Sequence, residues 1–141
     1  MGSLTGEYRH GVDAKGRFFM PSRLLKALGE PFYIFKGPNR CLSVYGQRQW
    51  DEMRDKLAEL PKSQSRELRR TLYPTAQDCA ADKQGRIMLA SALREYAGIG
   101  ESLTVIGAGD YAEIWNDAAW EEYQKSREDT PLETAMDLLD L

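Results

Sequence analysis

The sequence has 141 residues, 42% of them hydrophobic and 29% charged, with a formal net charge of −3. That is enough chain for one or two small cores of ordinary soluble composition. It contains no apolar run of bilayer-spanning length and no signal-peptide pattern at its start, so no membrane association is expected.

The charge is unevenly spread. Residues 1–50 carry eight Lys/Arg against three Asp/Glu, residues 51–109 nine of each, and residues 110–141 two against ten. A basic front third is thus joined to an acidic tail, a polarity that outweighs the small net charge when a partner is considered. Two cysteines, Cys41 and Cys79, share no CxxC spacing and are expected to be reduced thiols of a cytosolic protein. Met1-Gly2-Ser3 is set aside as a possible cloning remnant.

In chain order, Thr5 to Val12 reads as a short strand and Asp13 to Gly16 as a turn, with Gly16 supplying the positive φ. Arg17 to Met20 is the return strand. Pro21 and Ser22 open a helix, Ser22 as its cap; Leu24, Leu25 and Leu28 form its apolar face and Gly29 ends it. Phe32 to Phe35 and Cys41 to Tyr45 are strands around a turn at Gly37 to Arg40. Gln47 to Leu60 places Trp50, Met53, Leu57 and Leu60 at helical spacing. After a break at Pro61, Ser63 is expected to cap a second helix through Tyr73, with Leu68 and Leu72 inside and Arg66, Arg69 and Arg70 outside.

A second unit then follows the same plan. Cys79 to Ala81 leads into a turn at Asp82 to Gly85. A strand at Arg86 to Leu89 and a helix at Ser91 to Ala97, stopped by Gly98, come next. Strands at Leu103 to Ile106 and Ala112 to Trp115 flank a turn, and Asp117 is expected to cap a helix through Trp120 and Tyr123. Thr130-Pro131 opens a short helix carrying Met136, Leu138, Leu139 and Leu141.

The duplication shows in one register. At an offset of 69, Asp13, Gly16, Arg17, Met20, Ser22, Leu24 and Gly29 meet Asp82, Gly85, Arg86, Leu89, Ser91, Leu93 and Gly98. With one inserted residue, Gly37, Val44, Tyr45 and Trp50 meet Gly107, Ile114, Trp115 and Trp120. Strands this short cannot bury a core alone, so two such units are expected to pair their strands and close a small barrel. The boundaries expected are 4–47 for the first repeat, 48–75 for a helical connector, 76–120 for the second repeat, and 121–141 for a C-terminal helix and acidic tail.

Asp-x-x-Gly-Arg is the pattern that repeats: Asp13 to Arg17 and Asp82 to Arg86. Arginine presents a rigid fork of donors suited to phosphate or the guanine edge. Across a tight hairpin the aspartate four residues earlier is close enough to aim it. An exposed ion pair stabilises by only about 0–1 kcal/mol, which is little reason to build the same pair twice. Arg17 and Arg86, with Asp13 and Asp82 as braces and Lys15 and Lys83 beside the tips, are the candidate DNA-binding residues. One basic loop binds weakly, so self-association that aligns several loops is expected. No catalytic, cofactor or metal site is expected. His10 is the only histidine, no ligand cluster has metal spacing, and there is neither a P-loop nor a GxGxxG.

The segments Glu7-Tyr8-Arg9, Asp13 to Arg17, Met20-Pro21-Ser22, Leu42 to Tyr45, Asp82 to Arg86, Arg94 to Gly98 and Glu113-Ile114-Trp115 resemble the bacterial MraZ family, over about residues 4–125. That resemblance implies two SpoVT-AbrB-type domains and an α+β fold: an AbrB-like swapped-hairpin β-barrel made by two tandem pseudo-symmetric repeats in one chain. It also implies a cytoplasmic, nucleoid-associated transcription regulator of the division and cell-wall gene cluster. Such a regulator binds double-stranded DNA at short direct repeats upstream of its own operon and assembles into a homo-oligomeric ring. Its functional pair falls on Asp13/Arg17 and Asp82/Arg86. Leu89-Ala90-Ser91 has no counterpart of Pro21. The alternative from the residues alone is a protein-interaction or assembly module of the division machinery without direct DNA readout.

Overall fold

A computed structural model describes residues 3–127 and 131–140. The first half contains β1 (Glu7–Gly11), β2 (Arg17–Phe19), α1 (Ser22–Leu28), β3 (Phe32–Lys36), β4 (Leu42–Tyr45), α2 (Gln47–Glu59) and α3 (Lys62–Leu72). The second contains β5 (Gln77–Cys79), β6 (Arg86–Met88), α4 (Ser91–Ala97), β7 (Ser102–Gly107), β8 (Ala112–Trp115), α5 (Asp117–Ser126) and α6 (Leu132–Met136). The fold is α+β, with antiparallel strand pairing throughout the described residues.

The two halves exchange their opening strands. A six-stranded sheet runs β1-β7-β8-β4-β3-β5, and β2 pairs with β6 in a separate two-stranded ribbon. β1 therefore lies against β7 of the other half, from Glu7 opposite Ile106 to Gly11 opposite Ser102. β5 lies against β3, with Cys79 opposite Phe32. Among the described residues only β3–β4 and β7–β8 pair within a half, and β4–β8 joins the halves at the centre. Among the described ladders none links the sheet edges β1 and β5, so the six-stranded sheet itself is open.

The side chains explain the exchange. In β2 and β6 the middle residues, Phe18 and Ile87, face each other and are buried. They meet Leu24, Phe32, Ile34, Leu42 and Val44 from the first half and Leu93, Leu103, Val105 and Ile114 from the second in one apolar cluster. Neither half has enough apolar surface on its short strands to enclose a core by itself, so burial is shared.

Helix starts differ from expectation at Ser22, Ser63 and Asp117. Pro21 and Ala90, both extended, precede α1 and α4 without any side-chain cap. α4 spans Ser91–Ala97 as expected, whereas Ser22, expected as a cap, is already the first helical residue of α1, where a hydroxyl cannot serve as the half-out capping group. Ser63 is likewise inside α3, which begins at Lys62. Asn116, not Asp117, caps α5 by accepting from the Ala119 amide at 2.9 Å. Asp117 instead ties β1 to β7. It accepts from Arg9 Nε at 3.0 Å, from Thr104 Oγ1 at 2.6 Å, and from Ser102 Oγ. Burial pushes its carboxyl up, but these donors outweigh that and hold it below the usual range. Leu68, expected inside, is 42% exposed. The α6 helix and the 3-10 turn at Asp137–Leu139 fall on the expected short helix, whose Thr130 and Leu141 lie outside the described residues.

The matched aromatics pin the helices to each half. Trp50 on α2 stacks on Tyr33 at 4.5 Å and meets Phe35 and Tyr73 edge-on. Trp120 on α5 packs on Trp115 at 5.2 Å. Both cysteines are free and buried, and burial pushes their thiols up, Cys41 to about 12 and Cys79 to about 11.

Candidate nucleic-acid interface

The two Asp-x-x-Gly-Arg turns have the same internal wiring. In the first, the Asp13 amide donates to the Arg17 carbonyl at 2.9 Å and the Gly16 amide to the Asp13 carbonyl at 3.0 Å. Asp13 Oδ1 accepts from the Lys15 and Arg17 amides, each at 2.9 Å. That occupies one carboxylate oxygen with the turn and leaves Oδ2 for Arg17 Nε at 2.7 Å. The second turn repeats every bond. Asp82 Oδ1 accepts from the Gln84 and Arg86 amides at 2.9 Å each, and Oδ2 from Arg86 Nε at 3.0 Å.

One aspartate thus shapes the bend with one oxygen and orients the guanidinium with the other. The backbone amide of Arg17, aided by its side chain and the Lys15 amide, holds the Asp13 carboxyl below the usual carboxylate value. The Arg86 amide does the same for Asp82. Each arginine uses Nε for its brace. Among the described residues no acceptor engages the two Nη groups of either one, so both forks keep donors for a ligand.

Gly16 and Gly85 both sit at φ +82°, the left-handed region the bend requires. Their surroundings differ. A Cβ on Gly16 would meet the Leu89 carbonyl at 2.8 Å and Arg94 Nε at 2.9 Å, whereas one on Gly85 would meet nothing within 4 Å. Arg94, on α4, donates from Nε to the Leu89 carbonyl at 3.0 Å and lies under the first turn. Each turn is also stitched to the opposite half, the Leu89 amide donating to the Gly16 carbonyl at 2.8 Å and the Met20 amide to the Gly85 carbonyl at 3.2 Å.

The ribbon gathers the two arginines. Arg17 is opposite Met88 and Arg86 is opposite Phe19. Because Phe18 and Ile87 point inward, the alternation of strands turns Arg17, Phe19, Arg86 and Met88 outward together. The arginines occupy one diagonal, a spacing of about 7–8 Å for such neighbours in an antiparallel pair. Phe19, 51% exposed, and Met88, 61% exposed, occupy the other. Lys15 and Lys83 are exposed in the turns that flank this face. All six candidate residues therefore belong to the ribbon and its two turns. Sequence reading passed over Phe19 and Met88, although the in-out alternation starting at Arg17 and Arg86 already implied that they share the arginines' face. It passed over Arg94 because no local pattern links a helix residue to a turn far away in sequence.

Chemically, a two-stranded ribbon carrying paired guanidinium forks suits a polyanion with planar acceptor edges. The major groove of B-DNA admits such a ribbon. Among the described residues no group of three or more His, Cys, Asp or Glu could hold a metal ion, and no helix is long and apolar enough to cross a membrane.

Comparison with known proteins matches this doubled architecture. Residues 3–71 and 72–139 each match the family described as "MraZ protein, putative antitoxin-like". A protein named "Transcriptional regulator MraZ" from Heliobacterium modesticaldum is 40% identical over 139 residues, covering 97% of each chain. Its namesake in Desulforamulus reducens is 38% identical over 140 residues, covering 98% of this chain and 99% of that one. A third, from Caldanaerobacter subterraneus subsp. tengcongensis, is 42% identical over 125 residues and 87% of each chain. With both halves matched and relatives aligned along nearly the whole length, the chain belongs to the MraZ family.

Proposed function

We propose that this protein is a sequence-specific DNA-binding transcriptional regulator that reads its site with the outward face of the β2–β6 ribbon. The observation that carries this reading is the matching bracing of Arg17 and Arg86, both half-buried, on one outward-turned face of the ribbon. The relatives' name, transcriptional regulator, supports the same conclusion. In this role Arg17 and Arg86 contact base edges or phosphates, Asp13 and Asp82 aim them, and Lys15 and Lys83 add phosphate contacts from the tips.

The finer reading follows the family. The exchanged strands form an AbrB-like swapped-hairpin core. The protein works in the cytoplasm at the nucleoid, as a homo-oligomeric ring. It acts on the division and cell-wall gene cluster through short direct repeats in double-stranded DNA upstream of its own operon. Repeated sites suit repeated ribbons, because one two-arginine face supplies little affinity and tethering several raises it.

The test is a gel shift on the protein's own upstream region. Arg17→Ala and Arg86→Ala are each expected to weaken binding about 5- to 150-fold, since a bidentate arginine is worth about 1–3 kcal/mol. Their circular dichroism should match the parent's. Unchanged affinity in both variants would reject DNA readout by this face. It would favour the second reading, a protein-interaction module whose ribbon contacts a protein partner.

A further inference from the structure

The α2–α3 pair carries an open groove of about 800 Å³ remote in sequence from the ribbon. Leu60, Tyr73 and Pro74 give it an apolar lining, and Lys62, Arg66 and Arg70 make it cationic. Leu60 stays 37% exposed. Among the described residues no carboxylate is within ion-pair distance of Lys62 or Arg66, and Arg70 reaches only Glu67, at 3.5 Å between two exposed side chains. Such a pair contributes little, so these charges remain available.

The corresponding place in the second half has the opposite character. There α5 is followed by α6, as α2 is by α3, and the offset of 70 sets Leu132 beside Lys62. Residues 131–140 carry Glu133, Asp137 and Asp140 and no Lys or Arg. Leu132, Leu138 and Leu139 are 71%, 90% and 65% exposed. Leu132, Met136 and Leu139 fall at helical spacing, so an apolar stripe lies beside the acids.

From this complementarity we infer that the α2–α3 groove receives the α6 segment of a second copy of the chain. The leucine stripe enters the apolar lining and the three acids meet Lys62, Arg66 and Arg70, a helix-in-groove contact. The two surfaces are unlike and lie in different halves, so the contact can run head-to-tail from copy to copy. Contacts of that kind close into rings when the rotation between neighbours permits. The inference deepens the self-association in the proposed function and rests on it only there; DNA readout is a separate property.

Charge reversal in both partners tests it, using the full chain without DNA. One variant carries Lys62→Glu, Arg66→Glu and Arg70→Glu; the other carries Glu133→Lys, Asp137→Lys and Asp140→Lys. Sedimentation should show the parent protein as a multimer and each variant alone at the mass of one chain. An equal mixture should recover the high-mass species, because the acidic groove now accepts the basic tail and the basic groove the acidic one. A parent that sediments as one chain, a variant that keeps the parent's mass, or a mixture that stays dissociated overturns the inference. So does a groove variant that loses DNA affinity at unchanged mass, which would assign the groove to DNA. A parent protein that assembles as described but ignores its upstream duplex would defeat the DNA reading while leaving this contact standing.

Discussion

Asp13 and Asp82 each divide their two oxygens between a bend and an arginine, and this sets several consequences at the level of single residues. Both carboxyls titrate below their usual value in the folded chain, chiefly through the Arg17 and Arg86 amides. A depressed folded-state pKa contributes stability that is present above the unfolded-state value and lost as pH falls through the folded one. Asp13→Asn/Asp82→Asn should therefore unfold more easily than the parent at neutral pH. The difference should vanish once the medium is acid enough to protonate the parent's two carboxyls. Thermal melts at neutral and acid pH check this; a constant difference would contradict it. The glycines make a second prediction. Gly85→Ala meets open space and is expected to cost only the left-handed backbone penalty, about 1–2 kcal/mol. Gly16→Ala should cost more, because its methyl runs into the Leu89 carbonyl at 2.8 Å. Chemical denaturation of the two variants measures the gap, and equal costs would contradict the packing described around the first turn. The Asp–Arg pairing was legible in the sequence because it depends on a four-residue spacing. The unequal surroundings of Gly16 and Gly85 were not, because Leu89 and Arg94 reach the first turn from the other half.

Among the elements, β2 and β6 matter most, since they carry the candidate interface and also join the halves. Their short apolar pattern was readable as return strands, and the observed spans differ from the expected ones by a residue at the end. The strand partners could not be read, because alternation tells which residues face inward but not which strand lies alongside. The result is that β1, β2, β5 and β6 find no described partner within their own half. Expressed separately, residues 3–71 and 72–139 should each be unfolded or pair with a second copy that supplies the missing strands. A half that sediments as one chain with native-like circular dichroism would contradict the exchange. Helix starts were the other illegible feature. Ser22, Ser63 and Asp117 read as caps, yet Pro21, Pro61 and Asn116 hold those places. Asp117 was drawn away by Arg9, Ser102 and Thr104, partners that only the folded sheet supplies.

On the scale of the whole molecule, uneven charge explains how a chain with a net charge of −3 can approach DNA. The basic front third contributes the first turn, and the acids concentrate beyond residue 110, away from the ribbon in sequence. Assembly would multiply ribbon faces while covering the acidic tail, so that the surface met by a duplex is more cationic than the composition suggests. The measurement that bears most directly on this account is equilibrium binding to the protein's own upstream duplex across a salt series, for the parent and Arg17→Ala/Arg86→Ala. The account predicts tight binding by the parent that weakens steeply with salt. The double variant should lose at least about thirtyfold in affinity at unchanged assembly mass, and its salt slope should become shallower by about one for each phosphate contact removed. Parent-like affinity and slope in the double variant would contradict it.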